Sequence, residues 1–516
     1  MSSKAPSLEI RDSSSAAESR AASWASIFGG RTVQIGPRIA PLPDYLKDEL
    51  SEEAAVSSVS DSTGDAILLR QLAKEDGAAI RYRSCSWQKT AGLLFSEYIC
   101  LAVMSFPWSY SVLGLVPGVI FTIFVAVVVQ YTSLILWEFC LRHPEVRDAC
   151  DIAEILFWGK RWVWWATAIM FVLNNTFIQG LHVLVGAEYI NTMTEGDSFS
   201  GTCRTVELSV AITVLSWLVS LPRTFSMLSR LATLTALSTF VSLLLATIFS
   251  ATQGKPAGYS AELGDPIVSA FPVKGTTFVQ GMAAFLNISY TLLGQLSLPS
   301  FIAEMRDARD FPKALWACTI AQIIIYSLVG GIIYAYTGTQ YVTAPAFGSL
   351  HTQYKKISFS FMVPTLIFLG CLYASVTARF VFFRLFRNSR HLNNHTVVGW
   401  SSWAGILLAT WILAFIISQV IPFFNSLLSI MSSIFDSWFG FIFWGVAYLR
   451  MRSADQKAGI DRATARDRVG IAVNIFIILI GAFVLTVGTY ASTQGIIDFF
   501  RSGAVGGVFS CKSNGI

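Results

Sequence analysis

The chain has 516 residues, 53% hydrophobic and 13% charged, with a net charge of +5 and a mean hydropathy of +0.56. A soluble domain carries roughly a quarter charged residues. Soluble enzymes and nucleic-acid binders are therefore excluded, and an all-α integral membrane protein is the class that fits.

Residues 1–86 form a polar tail rich in Ser, Ala, Asp and Glu, with Pro41 and Pro43 near its middle. Lacking sustained apolar periodicity, this tail is expected to be disordered and cytoplasmic. Its serines either take phosphate or form an inert solubilising surface. No positive–apolar–cleavage pattern opens the chain, so no cleaved leader is expected.

From Trp87 onward the hydropathy predicts eleven spans: 91–115, 118–140, 162–190, 205–221, 231–251, 278–300, 314–337, 357–383, 400–421, 423–448 and 470–490. The ninth and tenth follow so closely that Pro422 must sit in a tight hairpin. With the N-terminus inside, the inner loops hold about eighteen Lys and Arg, against about seven in the outer segments. The transmembrane domain is thus expected over 87–490, with a short non-cytoplasmic tail over 491–516. Cys203 and Cys511 are the two cysteines that fall clearly on the outer side, where a disulfide is chemically permitted. None of the eight cysteines forms a CxxC pair or a Cys/His cluster, so no metal site is expected.

The first span, LLFSEYICLAVMSFPWSYSVLGL, carries Pro107 in its middle, where proline removes a donor and clashes with the preceding turn. The sixth is interrupted by Asn287, Ser289, Tyr290, Gly294, Gln295, Ser297 and Pro299. Pro299 lies late, where it could simply end the helix. A broken helix in hydrocarbon survives only where protein or a water-filled cavity meets the freed N–H and C=O groups. Two interrupted helices five spans apart point to an inverted-repeat carrier, with half-helix N-termini facing anionic groups. Ala102, Met104 and Ser105 in the first break, and Tyr290, Thr291, Gly294 and Gln295 in the sixth, are the candidate substrate-binding residues.

Glu97 lies one to two turns inside the first span, and an ionisable group at that depth is a candidate for the coupling site. It either cycles a proton or reaches water near the inner interface. Asn175, Gln179 and His182 share one face of the third span, and Asn175 and Gln179 join the substrate set. Ser375 and Thr377 in the eighth span present hydroxyls to a cation or to a substrate amine, or bond back to their own helix. Beside the sixth span, Glu304, Arg306, Asp307, Asp310 and Lys313 alternate in sign. They are expected to form an inner gate of ion pairs. Exposed pairs contribute only about 0–1 kcal/mol each, so such a gate needs several.

Residues 87 to about 490 resemble the amino acid/auxin permease family, in its fungal neutral amino acid permease branch. The motifs that carry the resemblance are Glu304-Met305-Arg306-Asp307 with Asp310-Phe311-Pro312-Lys313-Ala314, and Phe177-Ile178-Gln179-Gly180-Leu181-His182-Val183-Leu184. Arg384-Leu385-Phe386-Arg387-Asn388-Ser389-Arg390-His391 and Ile421-Pro422-Phe423-Phe424-Asn425 with Ser437-Trp438-Phe439 add to it. The resemblance implies about eleven helices, a leucine-transporter-like five-plus-five inverted repeat plus one extra helix, and proton-driven movement of amino acids or related amines. It departs where the family has a glycine in the first break and small residues or a histidine in the sixth. Here Ala102, Leu292, Leu293 and Gln295 stand in those places.

The sequence thus predicts a secondary active amino acid transporter, with the plasma membrane favoured over the vacuolar membrane as its location. A small amino acid or amine substrate and the lipid bilayer are its expected partners. It is not expected to be an enzyme, to bind nucleic acid or to use a cofactor, and H⁺ is favoured over Na⁺ for coupling. A carrier for an amino-acid-derived metabolite and a nutrient sensor read through the tail are the alternatives.

Overall fold

The computed structural model describes residues 29–30, 35–41, 85–146, 148–194, 204–223, 226–386, 389, 391, 394–460, 464–502 and 508–511. Every regular element among them is a helix, and one isolated bridge pairs Cys85 with Met305. In chain order these are α1 (Trp87–Tyr98), α2 (Phe106–Leu113), α3 (Leu115–Arg142), α4 (Ala149–Leu156), α5 (Arg161–Met193), α6 (Arg204–Ser220) and α7 (Ser226–Thr252). They continue with α8 (Phe278–Leu292), α9 (Leu298–Glu304), α10 (Phe311–Tyr341), α11 (Thr352–Ser360), α12 (Val363–Leu385) and α13 (Val397–Val420). α14 (Phe424–Met431) runs through a π-helical stretch, Ser432–Ile442, into α15 (Phe443–Lys457). Likewise α16 (Thr464–Phe483) passes through Val484–Gly488 into α17 (Thr489–Arg501).

Among the described residues eight helices are long and apolar enough to cross a bilayer, and the bent pair of the first span makes up to nine. The other two predicted spans coincide with the 17-residue α6 and the interrupted pair α8/α9. Of the predicted disulfide partners, Cys511 is disulfide-bonded, whereas Cys203 lies outside the described residues.

Prolines open helices here. Pro107, Pro299, Pro312 and Pro364 sit in the first turn of α2, α9, α10 and α12, where a missing N–H costs nothing. Pro299 therefore starts the second half of the sixth span instead of ending the first. Thr277 and Gln280 make a capping box at the start of α8, satisfying two orphan donors.

The outward surface matches a lipid solvent. α16 exposes Val469, Val473, Phe476 and Leu479, which at spacings of four, three and three form one apolar stripe. Trp158 and Trp162, 71% and 70% exposed near the start of α5, suit the aromatic belt of a membrane interface.

Two opposite faces close the bundle. On one, the segment between α7 and α8 lies over the ends of α2 and α10. Leu115 and Val116 donate their N–H groups to Ser269 and Ala270 at 3.0 Å. Gly114, at φ +82°, permits this contact, because a Cβ there would fall 2.5 Å from the Phe271 backbone. The other carries the N-terminal arm. Cys85 bonds Glu304 and Arg306 through the backbone at 3.1 and 2.9 Å, and residues 35–41 lie against the end of α3.

Candidate functional site: two helix breaks in contact

The first break comes ahead of Pro107. Ile99 and Cys100 leave helical geometry (Cys100 φ −128°, ψ 179°) before the short 3-10 turn Leu101–Ser105. The carbonyl freed at Tyr98 is met by the Tyr326 hydroxyl of α10 at 2.7 Å, and that of Ala102 by Ser105 Oγ at 2.7 Å. Neighbouring protein thus satisfies the backbone. Ala102, Met104 and Ser105 are buried in this turn.

The second break begins at Leu293, extended at φ −90° and ψ 130°, and ends where Ser297 leads into α9. Gln295 fills it from inside. Its Oε1 accepts the Gly294 N–H at 3.2 Å, and its Nε2 donates to Thr132 of α3 at 3.0 Å. Thr291 bonds back to Asn287 O at 2.8 Å, and Tyr290 is half-buried.

The breaks touch. A Cβ on Gly294 would sit 2.2 Å from Tyr98 Cε1, so only a glycine admits the tyrosine ring at this distance. Glu97 is half-buried beside that contact. Tyr373 of α12 donates its hydroxyl to Glu97 Oε1 at 3.3 Å, Ser297 lies beside the carboxyl, and Oε2 is buried without a hydrogen bond. Thr377, one turn along from Tyr373, bonds the Tyr373 carbonyl at 2.9 Å and accepts from Asn175 Nδ2 at 3.0 Å. Glu97, Thr377 and Asn175 are therefore brought together across three helices by a tyrosine absent from the predicted set. Gln179 donates to Asn175 O at 3.3 Å, and its buried Oε1 is unpaired. Ser375 is buried on the same helix.

The loop residues are placed differently from one another. Asp310 and Lys313 pair at 2.6 Å within their own turn, and Asp307 caps the turn by accepting the Arg309 N–H at 3.0 Å. Glu304 and Arg306 are exposed and joined through their backbones to Cys85.

Asp436 also borders the site, and the sequence reading passed over it. It lies in the π-helical stretch, on the side of Ser432 and Tyr290, with Oδ2 and the Ser432 hydroxyl both buried and unpaired. Leu293 of the break packs against Gly440 in the same stretch. An acidic residue inside IMSSIFDSWFG was the available signal, since π-helical turns collect at functional sites.

Half-buried carboxyls, each with one oxygen enclosed and unpaired, beside two touching helix breaks suit a solute path. Residues 83–494 match the family model described as transmembrane amino acid transporter protein. The chain belongs to that family. The transporter is 29% identical over 475 residues to the N amino acid transport system protein of Neurospora crassa, covering 92% of this chain and 96% of that one. It is 27% identical over 448 residues to a transmembrane transporter of Gibberella moniliformis, covering 86% and 91%. A solved structure of MhsT in complex with L-phenylalanine aligns at 14% identity and a TM-score of 0.45, covering 82% of the transporter and all of that chain.

Proposed function

We propose that this protein is a secondary active transporter of amino acids, coupled to protons, that works by alternating access around the two broken helices. The contact of Tyr98 with Gly294, with Glu97 beside it, carries the reading. A solute that entered there would separate the two breaks, and the carboxyl at membrane depth would sense it. The family supports amino acids as the cargo. Breaks five spans apart fit a five-plus-five inverted repeat, and the charge of the loops favours a cytoplasmic N-terminus. The plasma membrane is the expected location.

Reconstituted vesicles in sodium-free buffer, assayed with a panel of amino acids at two pH values, test this. Uptake should follow the pH gradient. Uptake that survives dissipation of the gradient would overturn the coupling, and indifference to every amino acid would overturn the cargo.

One observation favours a second reading, a carrier for an amino-acid-derived amine that lacks a carboxylate. Gln295 already occupies the Gly294 N–H, a donor that a substrate carboxylate would otherwise use. Competition by amines alone, with amino acids inert, would select this reading.

A further inference from the structure

The N-terminal arm is joined to the bundle by more than chance contact. Arg38 forks onto Glu145, in the loop after α3, and both side chains are nearly buried, at 9% and 7% exposure. Ile39 donates its N–H to His143 Nε2 at 3.1 Å. The Pro37 carbonyl accepts from Arg142 Nη1 at 3.2 Å. Gly36 lies so close to that guanidinium that a Cβ would fall 2.5 Å from its central carbon. Further back, the Gly30 N–H bonds Arg309 O at 3.0 Å, and Gly29 sits against Pro312.

These contacts tie together elements that alternating access must separate. Arg142 ends α3 and also holds Asp455 and the Met451 carbonyl of α15. Arg309 lies in the turn that follows α9, the inner half of the broken sixth span. The described arm residues therefore touch the end of α3 and the α9–α10 turn, and reach α15 through Arg142. Rocking of one part of the bundle against another requires such bridges to part. A buried charge-assisted fork is among the stronger non-covalent ties available.

We propose that the contacts of residues 29–30 and 35–41 strap this face of the transporter shut, so that their release sets how readily the seam between α3 and α9 opens. The seam has its own reporter. Cys140 is a free thiol, 7% exposed, beside Pro299 and Ala303 of α9. Cys150 is a free, fully buried thiol packed on Trp164 and Ala168 of α5, not on α9, and serves as the control.

The test is alkylation of the full-length protein in lipid nanodiscs, where both faces meet the reagent, with N-ethylmaleimide and peptide mapping of each cysteine. Arg38→Gln and Gly36→Leu remove the fork and crowd the arm off Arg142 by independent means. Each should raise the Cys140 rate at least about tenfold, as expected on losing a hydrogen bond to a charged group, while Cys150 stays unchanged. Unaltered Cys140 rates in both folded variants would overturn the strap. So would equal acceleration of Cys140 and Cys150, which reports general loosening. If either variant does not fold, removal of residues 1–41 supplies the same comparison.

Discussion

Arg142 and Asp455 meet as a buried ion pair, Nη1 to Oδ1 2.6 Å, although they lie 313 positions apart in the chain. Their side chains are 1% and 2% exposed. Glu138, one turn back on α3, pairs with the other guanidinium nitrogen, so removing Asp455 takes away one of two carboxylates on a buried cation. Asp455→Ala should lower stability by about 1.5–3 kcal/mol, whereas replacing both residues with apolar ones of similar volume should recover most of the loss. Thermal unfolding in detergent, monitored by tryptophan fluorescence, distinguishes the two.

Engagement of the arm should weaken in mild acid. The bond from Ile39 to His143 Nε2 requires a neutral ring, with its proton on Nδ1, 3.2 Å from Glu145. Burial lowers the His143 pKa from 6.5; Arg38 and Arg142 add to this, against the opposing pull of Glu145. The docked form therefore disfavours the proton. Docking is fully supported above about pH 6.5 and is lost as pH falls below it. Burial pushes Glu145 up, but His143 and Arg38 outweigh it and hold the carboxyl at about 2. Its contribution fades only below about pH 4.5, leaving His143 as the group of this pair that changes between about pH 5 and 7. The ratio of Cys140 to Cys150 alkylation should rise across that interval and lose the rise in His143→Gln.

Glu97→Gln keeps the shape of the site and removes its charge. Transport should lose most of its pH dependence if this carboxyl carries the coupled proton. Tyr373→Phe deletes the 3.3 Å hydrogen bond to Glu97 and should shift the midpoint of the pH profile without abolishing uptake. Unchanged profiles in both variants would remove the pair from the mechanism.

At Gly294 even a methyl group meets the Tyr98 ring. Gly294→Ala should cost about 1–3 kcal/mol through overpacking and slow transport at least tenfold. Gly294→Ala combined with Tyr98→Ala should regain stability. Tyr98→Phe should not relieve the clash, because ring carbons, not the hydroxyl alone, lie within 2.6 Å of the added Cβ.

Asp436→Asn tests the acidic residue of the π-helical stretch. Because Asp436 borders Tyr290 and the break, the variant should raise KM several-fold while leaving unfolding near that of the parent. An unaltered KM would make Asp436 a purely structural residue.

Much of the bundle was legible because the predicted spans, the 17-residue one over 205–221 apart, are apolar runs of about 20 residues or more, and such runs have few other fates in water. The two breaks were legible for a related reason: Pro107, Gly294 and Pro299 interrupt those runs. Their detail was not. Pro107 looked like the break itself, yet a proline is tolerated in a first helical turn, and the chain leaves helical geometry at Ile99 instead. Tyr373 and Asp436 escaped notice because their roles come from helices far away in sequence, which no local spacing encodes. The strap escaped for the same reason. Gly36, Pro37 and Arg38 read as part of a polar tail until Arg142 and Glu145 are placed beside them.

The stretch Ser432–Ile442 winds with more residues per turn than the helices on either side. Each residue of an α-helix advances the phase by about 100° and each residue of this wider coil by less, so letting the stretch relax to α-helical pitch at the same length would rotate everything after it. Phe443, now against Phe157 and Phe439, would swing off its seat, and the Arg142 partner at the end of α15 would turn away with it. The wide coil thus acts as a gear setting: it fixes at once where an acidic side chain looks within the membrane and whether Asp455, about three and a half turns past its end, finds its counter-charge on Arg142.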